Sequence, residues 1–475
     1  MKKLSFLIAC VLAVSCARQT YKPTWESLSE YGQAPDWFRD AKLGLWAHWG
    51  PQCQPEDGDW YARIMYMEGE KQALDHRAKY GHPSEFGFKD VIHLWTADNW
   101  DPDAIVKRFH RAGARYFVAM ANHHDNFDLW DSRYQPWNSV NMGPKKNIIA
   151  GWEKAARKEG LPFGVSIHAS HAWMFYESAQ GFDGKLTKAD GAGKWWEGYD
   201  PQDLYAQNHP VSAVYGWEWQ DTVSVPSPEY RKNFMDRSLD LMDRYHPDLV
   251  YFDDTVLPFW PIGDEGLQLA AHLYNRNPRA VVTGKLLQEE HKSAIVYDVE
   301  RGVAEGLQEK PWQTCTCLGN WHYDRGLYER DGYKSAATVI RGLIDIVSKN
   351  GNLLLSVPIR ADGTIDEKEE AILDEMAAWL DVNGEAIYGT RPWKVFGEGD
   401  NIRFTTRGET LYVHVLHRPA DGKLTVHSIR EDVPVGSVHL LGQEGELAFE
   451  TTEEGLQVQL PEECPGDMPL VMKIA

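Results

Sequence analysis

Short apolar runs that stop at a polar, chemically capable residue recur along the chain. Gly44-Leu45-Trp46-Ala47 runs into His48, and Tyr116-Phe117-Val118-Ala119-Met120 into Asn122-His123-His124. Phe163-Gly164-Val165-Ser166-Ile167 leads to His168, and Leu249-Val250-Tyr251-Phe252 to Asp253. Further runs end near Lys285, Glu300, Cys317 and Ser356, which predicts eight strands between residues 43 and 385. Helical patterns alternate with them. Asp101-Pro102 supplies an N-cap and a first-turn proline, and Ile105 and Phe109 give an apolar face before Gly113. Asn147 to Gly160, Glu229 to His246, Glu265 to Asn277, Ala336 to Asn350 and Glu367 to Asn383 read the same way. Buried strands alternating with helices predict an α/β fold, a TIM-like (β/α) barrel with its active site at the C-terminal strand ends. Some links are too short for a helix, so the outer ring is predicted to be incomplete. The long, weakly periodic stretch Ala172 to Pro228 is expected to fold over the barrel mouth.

After Pro392 the period changes. Ile402-Arg403-Phe404, Leu411 to Leu416, Lys423 to Ile429, Ser437 to Leu441, Leu456 to Leu460 and Leu470 to Ile474 are short runs, many of them alternating, between turn residues. They predict a β-sandwich over residues 393–475, following a barrel over 17–392. Nothing in this part has catalytic character, and a packing role is expected.

At 475 residues the chain has room for both units, and 20 Trp within 43% hydrophobic content is ample for a core. A formal charge of −21 argues against a nucleic-acid partner, because phosphate backbones are gripped by clustered Lys and Arg. Met1-Lys2-Lys3, the apolar stretch Leu4 to Val14 and Ser15-Cys16 read as a lipoprotein-type signal over residues 1–16, with Cys16 as the lipidation site. The expectation is a protein of the bacterial cell envelope, periplasmic or on the outer membrane, that meets a membrane only through this lipid. Cys53, Cys315, Cys317 and Cys464 form no CxxC pair and are expected to be free thiols.

Asp253 is the leading candidate for catalysis: a carboxylate opening from a buried strand into a barrel pocket can attack an anomeric carbon. A capping aspartate, or a metal ligand beside Asp254, is the plainer alternative. A retaining glycosidase needs a second carboxyl about 5 to 5.5 Å away, partly desolvated so that it holds a proton near neutral pH. Glu289, Glu290, Glu300, Glu305 and Glu309 follow Asp253, and Glu300 is favoured because it ends a strand-like run. His48, His123, His124, His168 and His171 lie at or near strand ends, accompanied by Trp49, Trp60, Trp130 and Trp321. Histidines that bond hydroxyls and tryptophans that stack on a ring together describe a sugar pocket. The same histidines could ligate a metal. Against that stand the missing His-x-His on the first strand and the aromatic company, so no metal and no cofactor are expected.

At these residues the chain resembles the α-L-fucosidases of glycoside hydrolase family 29. The likeness rests on Lys42-Leu43-Gly44-Leu45-Trp46-Ala47-His48-Trp49-Gly50, Asp59-Trp60-Tyr61 and His123-His124-Asp125-Asn126-Phe127-Asp128-Leu129-Trp130. Pro247 to Asp253, Pro311-Trp312-Gln313 and Ser348-Lys349-Asn350-Gly351-Asn352 complete it in the family's order. The resemblance implies a barrel followed by a β-sandwich, and retaining exo-hydrolysis of terminal α-L-fucose from a fucosylated glycan. It implies Asp253 as nucleophile and His48, Trp60, His123 and His124 as sugar-binding residues. Glu300 as acid/base rests on strand placement, and Trp130, His168 and Trp321 join the binding set on their positions. The chain departs from the family at Asp59, usually Glu and expected to reach a sugar hydroxyl, at Ser166-Ile167-His168, at Gln313, usually Glu, and at Asp254, usually Gly. Those changes leave an α-L-galactosidase or a related glycosidase on the same scaffold as alternatives, the strand-end histidines leave a metal-dependent barrel hydrolase, and Gln313 with Glu300 leaves a non-catalytic glycan-binding lipoprotein.

Overall fold

A computed structural model describes residues 20–216, 223–253, 263–285, 287–461 and 466–475. The signal segment with Cys16, as well as Asp254 and Cys464, lies outside the described residues. Eight parallel strands close on themselves in chain order. They are β1 (Leu43–Ala47), β2 (Tyr116–Asn122), β3 (Phe163–Ile167), β4 (Leu249–Phe252), β5 (Val281–Gly284), β6 (Val296–Glu300), β7 (Trp312–Cys317) and β8 (Gly351–Ser356). Pairing of β1 with β8, Leu43 opposite Leu353, seals the ring.

These runs become barrel strands because both of their faces are covered, which rewards unbroken hydrophobicity. Trp46, Tyr116, Val118, Leu249, Tyr251, Val281, Cys315 and Leu354 meet inside the barrel. Leu45, Phe117, Phe163, Val165, Val250 and Val282 face outward onto the surrounding layer. The period of two continues past the last strand residues. His48, His168, Asp253, Lys285 and Glu300 all stand in the inward register at the C-terminal rim. Gly44 is required in this core, since a Cβ there would meet the Tyr116 ring at 2.3 Å.

The helices fall where their signals place them. Asp101 caps Pro102–Arg111 by accepting from Ala104 N, and Asn147 caps Ile148–Lys158 in the same manner. Pro228–Tyr245, Glu265–Arg276, Ala336–Ser348 and Glu367–Asn383 follow. The ring is incomplete: β5 and β6 are joined through a 3-10 segment, Glu289–Ser293, and β6 and β7 by chain without a helix. The stretch from Ala172 is built of short pieces, among them helices Ala172–Phe175 and Pro201–Tyr205, too brief to show a period. It is anchored by the buried Asp183, which takes Lys89 Nζ at 2.9 Å and the hydroxyls of Tyr66 and Tyr205 at 2.7 Å each.

Beyond the barrel, β9 (Arg391–Glu398), β10 (Ile402–Arg407), β11 (Thr410–Val415), β13 (Val438–Leu440) and β16 (Leu470–Ile474) form one antiparallel sheet. β12 (Lys423–Val426), β14 (Phe449–Thr452) and β15 (Gly455–Gln459) form a second. Phe404, Val413, Val426, Val458 and Met472 fill the space between them. Two strands go beyond the sequence expectation, β9 and β14. Both lie at sheet edges, where Pro392 is tolerated and one side needs no apolar cover. Arg403 Nε, 2.6 Å from Asp345 Oδ1, ties this unit to the helix Ala336–Ser348. Among the described residues no helix is long and apolar enough to cross a membrane.

Candidate active site

Asp253 leaves β4 with its backbone N–H donated to Ile167 O at 3.2 Å, which fixes the turn of chain that aims its carboxylate inward. His168 Nδ1 lies 2.9 Å from Oδ2, and His124 Nε2 3.4 Å from the same oxygen. Lys285 Nζ donates to Oδ1 at 2.6 Å, and Tyr251 Oη donates to it at 3.2 Å. Burial pushes this carboxyl up, but Lys285, His168 and His124 overcome it and hold the group well below the usual carboxylate range. It is therefore ionised at neutral pH, as a nucleophile must be.

Glu300, the last residue of β6, meets the other side of the same ammonium: Lys285 Nζ donates to its Oε2 at 2.6 Å. One cation touching both carboxylates keeps those two oxygens within twice 2.6 Å of each other. That bound matches the roughly 5 to 5.5 Å spacing of a retaining pair and falls short of the spacing that an inverting enzyme leaves for water. Glu300 is the more open partner, with its side chain 41% exposed against 17% for Asp253. The expected desolvation of the second carboxyl is not met, because β6 ends at the rim rather than in the pocket. The desolvated carboxyl of that strand is Asp298, one inward step below, pushed up to about 6 by burial.

His48 forms the floor, with its ring centroid 4.7 Å from Trp46, 5.1 Å from His123, 5.0 Å from His168 and 4.8 Å from His322. Both ring nitrogens of His48 and of His322 are buried without a hydrogen-bond partner among the described residues. Leaving such groups unpaired costs about 1–3 kcal/mol each, a penalty that a polyhydroxylated ligand would offset. His123 is oriented by Gln52 Nε2 at 2.6 Å, and His124 Nδ1 donates to His168 O at 2.9 Å. Trp321 tilts over His48 at 5.5 Å with the Arg301 guanidinium 4.9 Å from its ring. Trp60, held at φ 63°, stands edge-on to His124 and Phe175. Asp59 is turned by the His322 backbone N–H, which donates to it at 2.8 Å, and Arg301 Nη2 lies 3.5 Å from its other oxygen.

The structure thus brings His48, Asp59, Trp60, His123, His124, His168, Asp253, Glu300 and Trp321 together. It does not bring Trp130, which is fully buried in the outer layer and donates its Nε1 to Asp240 on the helix Pro228–Tyr245 at 3.1 Å. Its indole N–H is satisfied there, and core packing explains it. Trp49 is likewise a core residue, against Trp95 and Trp100. Sequence reasoning missed Lys285, His322, Phe175 and Tyr215. The first two carry a local signal, a cation at a predicted strand end and a histidine beside Trp321. The others belong to the patternless insertion.

Gln313 lies below the pocket rather than in it. Its Nε2 donates to Asp298 Oδ2 at 2.8 Å, and its Oε1 accepts from Tyr116 at 3.0 Å. A second carboxylate there would face Asp298, so the amide is the residue that this interior accepts. Two sets of side chains, His48/His123/His168 and His124/His168/Asp253, have ligand atoms within 4.8 Å of one another and could be read as metal sites. His168 belongs to both sets and has both ring nitrogens engaged, by Asp253 and by Ser166 at 2.9 Å each, which leaves neither free to ligate a metal and makes the ring a support for the Asp253 carboxylate.

The buried imidazoles make an acid-labile site. Burial holds His48, His123 and His171 well below their usual 6.5, and takes His168 down to about 4 despite the pull of Asp253. Once unfolded, these rings take protons near pH 6.5, whereas in the folded chain they stay neutral. Their contribution is thus fully present above that pH and is lost as the pH falls, by about 1.4 kcal/mol per unit and per ring. The calorimetric midpoint should drop steeply from about pH 6.5 to about pH 5. A midpoint that holds constant over that interval would contradict neutral rings in the fold.

Three comparisons bear on this geometry. A family model described as alpha-L-fucosidase matches residues 8–385, and one described as the alpha-L-fucosidase C-terminal domain matches residues 398–475. Tissue alpha-L-fucosidase of Rattus norvegicus is 28% identical, over 98% of this chain and 94% of that protein. The Homo sapiens tissue enzyme is 27% identical, over 94% of this chain and 90% of its own length. Among solved structures, the alpha-fucosidase of Thermotoga maritima is 26% identical, covers 96% of this chain and 100% of its own, and superposes with a TM-score of 0.75. Alpha-L-fucosidase isoenzyme 1 of Paenibacillus thiaminolyticus, at 22% identity and a TM-score of 0.69 over 95% of this chain and 99% of its own, shares the fold.

Proposed function

The chain belongs to the α-L-fucosidase family, and from that premise we propose how this site removes a terminal α-L-fucose from a glycan with retention of configuration. The enzyme is a glycoside hydrolase. Asp253 attacks C1 while Glu300 gives its proton to the departing oxygen, which leaves fucose esterified to Asp253. Glu300, now a carboxylate, takes a proton from water as that water attacks C1, and fucose departs with Asp253 restored. His48, Asp59, His123 and His124 bond the hydroxyls, His168 holds the Asp253 carboxylate in place, and Trp60 and Trp321 present apolar faces to the ring. The observation that carries this reading is the pair of carboxylates held by one ammonium at 2.6 Å each, inside a wall of histidine and tryptophan.

A panel of aryl α-L-fucoside, α-L-galactoside and D-arabinoside tests it. The fucoside should be hydrolysed fastest, with α-L-fucose as the first anomer in an NMR time course. β-L-Fucose as first product, or a preference for galactoside, would overturn the assignment.

We propose in addition that the mature enzyme is tethered to the bacterial cell envelope through a lipid on Cys16. The Lys2-Lys3 start and the apolar stretch before Ser15-Cys16 support that reading.

A further inference from the structure

We propose that Lys285 is a positioning residue that serves as a single counterion shared by Asp253 and Glu300, meeting the negative charge wherever the reaction places it. This rests on the reading of those two residues as nucleophile and acid/base.

β5 lies between β4 and β6 in the barrel, and its inward residues are Val281, Thr283 and Lys285. The strand therefore delivers an ammonium between the strand ends that deliver the two carboxylates. The lysine side chain is only 13% exposed, with Nζ 2.6 Å from Asp253 Oδ1 and 2.6 Å from Glu300 Oε2. The Tyr251 ring lies 5.9 Å from Nζ. Asp298 of β6 and Cys315 of β7 also face it, while His124 and His168 approach Asp253 from the far side. Burial lowers the lysine, but Asp253, Cys315, Glu300 and Asp298 raise it further, well above its usual range, so it remains an ammonium.

Double displacement moves one negative charge back and forth. The first step consumes the form of the site in which Asp253 is a carboxylate and Glu300 an acid. When the C1–Oδ bond forms and the glycosidic bond breaks, the proton leaves Glu300 with the aglycone. Asp253 is then a neutral ester and Glu300 a carboxylate. Attack by water returns a proton to Glu300, breaks the C1–Oδ bond and restores the charge to Asp253. The charges of Asp253, Glu300 and Lys285 sum to zero at both stages, and the cation need not travel because it already touches both sites. A counterion fixed where charge develops acts without reorganisation. The same ammonium also keeps Asp253 ionised when the pH falls.

Lys285→Met and Lys285→Arg on an aryl α-L-fucoside test this. Lys285→Met should lower kcat about a hundredfold and move the acidic limb of kcat/KM to higher pH by about one unit or more. The sign follows from Asp253 losing the cation that depresses it. Lys285→Arg keeps a charge there and should restore the limb and most of kcat. A limb unmoved in Lys285→Met, or moved equally in Lys285→Arg, would overturn the role. Calorimetry on Lys285→Gln gives a readout that needs no turnover: affinity for a protonated iminocyclitol should rise about tenfold relative to L-fucose, since the ligand cation takes the ammonium's place. An unchanged ratio also overturns it. Wild-type enzyme inert on the fucoside would sink the reading of the site itself, whereas active wild type with unresponsive variants would sink only the role of Lys285.

Discussion

Replacing Asp253 by asparagine should lower kcat/KM on an aryl α-L-fucoside by about 10⁴-fold or more. The amide keeps the shape of the carboxylate and can still meet His168 and Lys285. It cannot form the ester through which both half-reactions pass. The loss should therefore be in rate and should not come with unfolding. Calorimetry at neutral pH distinguishes the two, because a variant that binds L-fucose and melts near the wild type while failing to turn over has lost chemistry alone. Activity comparable to wild type would remove Asp253 from the mechanism and with it the proposed double displacement. Residual activity well above background would have to be checked against deamidation back to aspartate, which mass spectrometry reads directly.

Glu300→Gln should show the second-largest effect, and its size should depend on the leaving group. A glycan hydroxyl departs only if it is protonated, so hydrolysis of a natural fucoside should fall by about 10²- to 10⁴-fold. A nitrophenolate needs little protonation, and the first step on its fucoside should be largely spared. The second step, which then lacks a base for water, becomes limiting. Azide needs no base and reaches the rim because Glu300 stands at an open strand end. It should accelerate turnover of the variant and yield α-L-fucosyl azide, with no such gain in the wild type. An equal loss on every leaving group, with no response to azide, would move the acid/base away from Glu300.

Most of the barrel was legible because the code for it is local. An apolar run with a period of two that continues into His48, His168 or Asp253 states both that a strand is buried and which side chain emerges inward at its end. The helix caps at Asp101 and Asn147 are equally local. Lys285 sat at a predicted strand end, yet its meaning depends on Asp253 and Glu300 arriving from two other strands, and no window of sequence contains all three. Trp130 is the converse case. It follows the His-His-Asp motif closely, but the chain turns back after that motif, and the indole packs under a helix more than a hundred residues away. The segment from Ala172 was legible only as an insertion, because pieces as short as Ala172–Phe175 leave no periodic trace. Phe175 and Tyr215, which border the pocket, were hidden with it.

The two halves of the chemistry rest on differently braced parts of the barrel. The strand carrying Asp253 is preceded by the long helix Pro228–Tyr245, so adding or deleting chain ahead of it would tear an extensive packed layer. Glu300 ends a strand that, among the described residues, has no α-helix between it and the barrel strand before or after it. Loops there can lengthen or shorten at small cost to the core, provided that a carboxyl still arrives beside the ammonium. Along the chain, therefore, the position of Asp253 is pinned while a carboxyl in the place of Glu300 is free to drift.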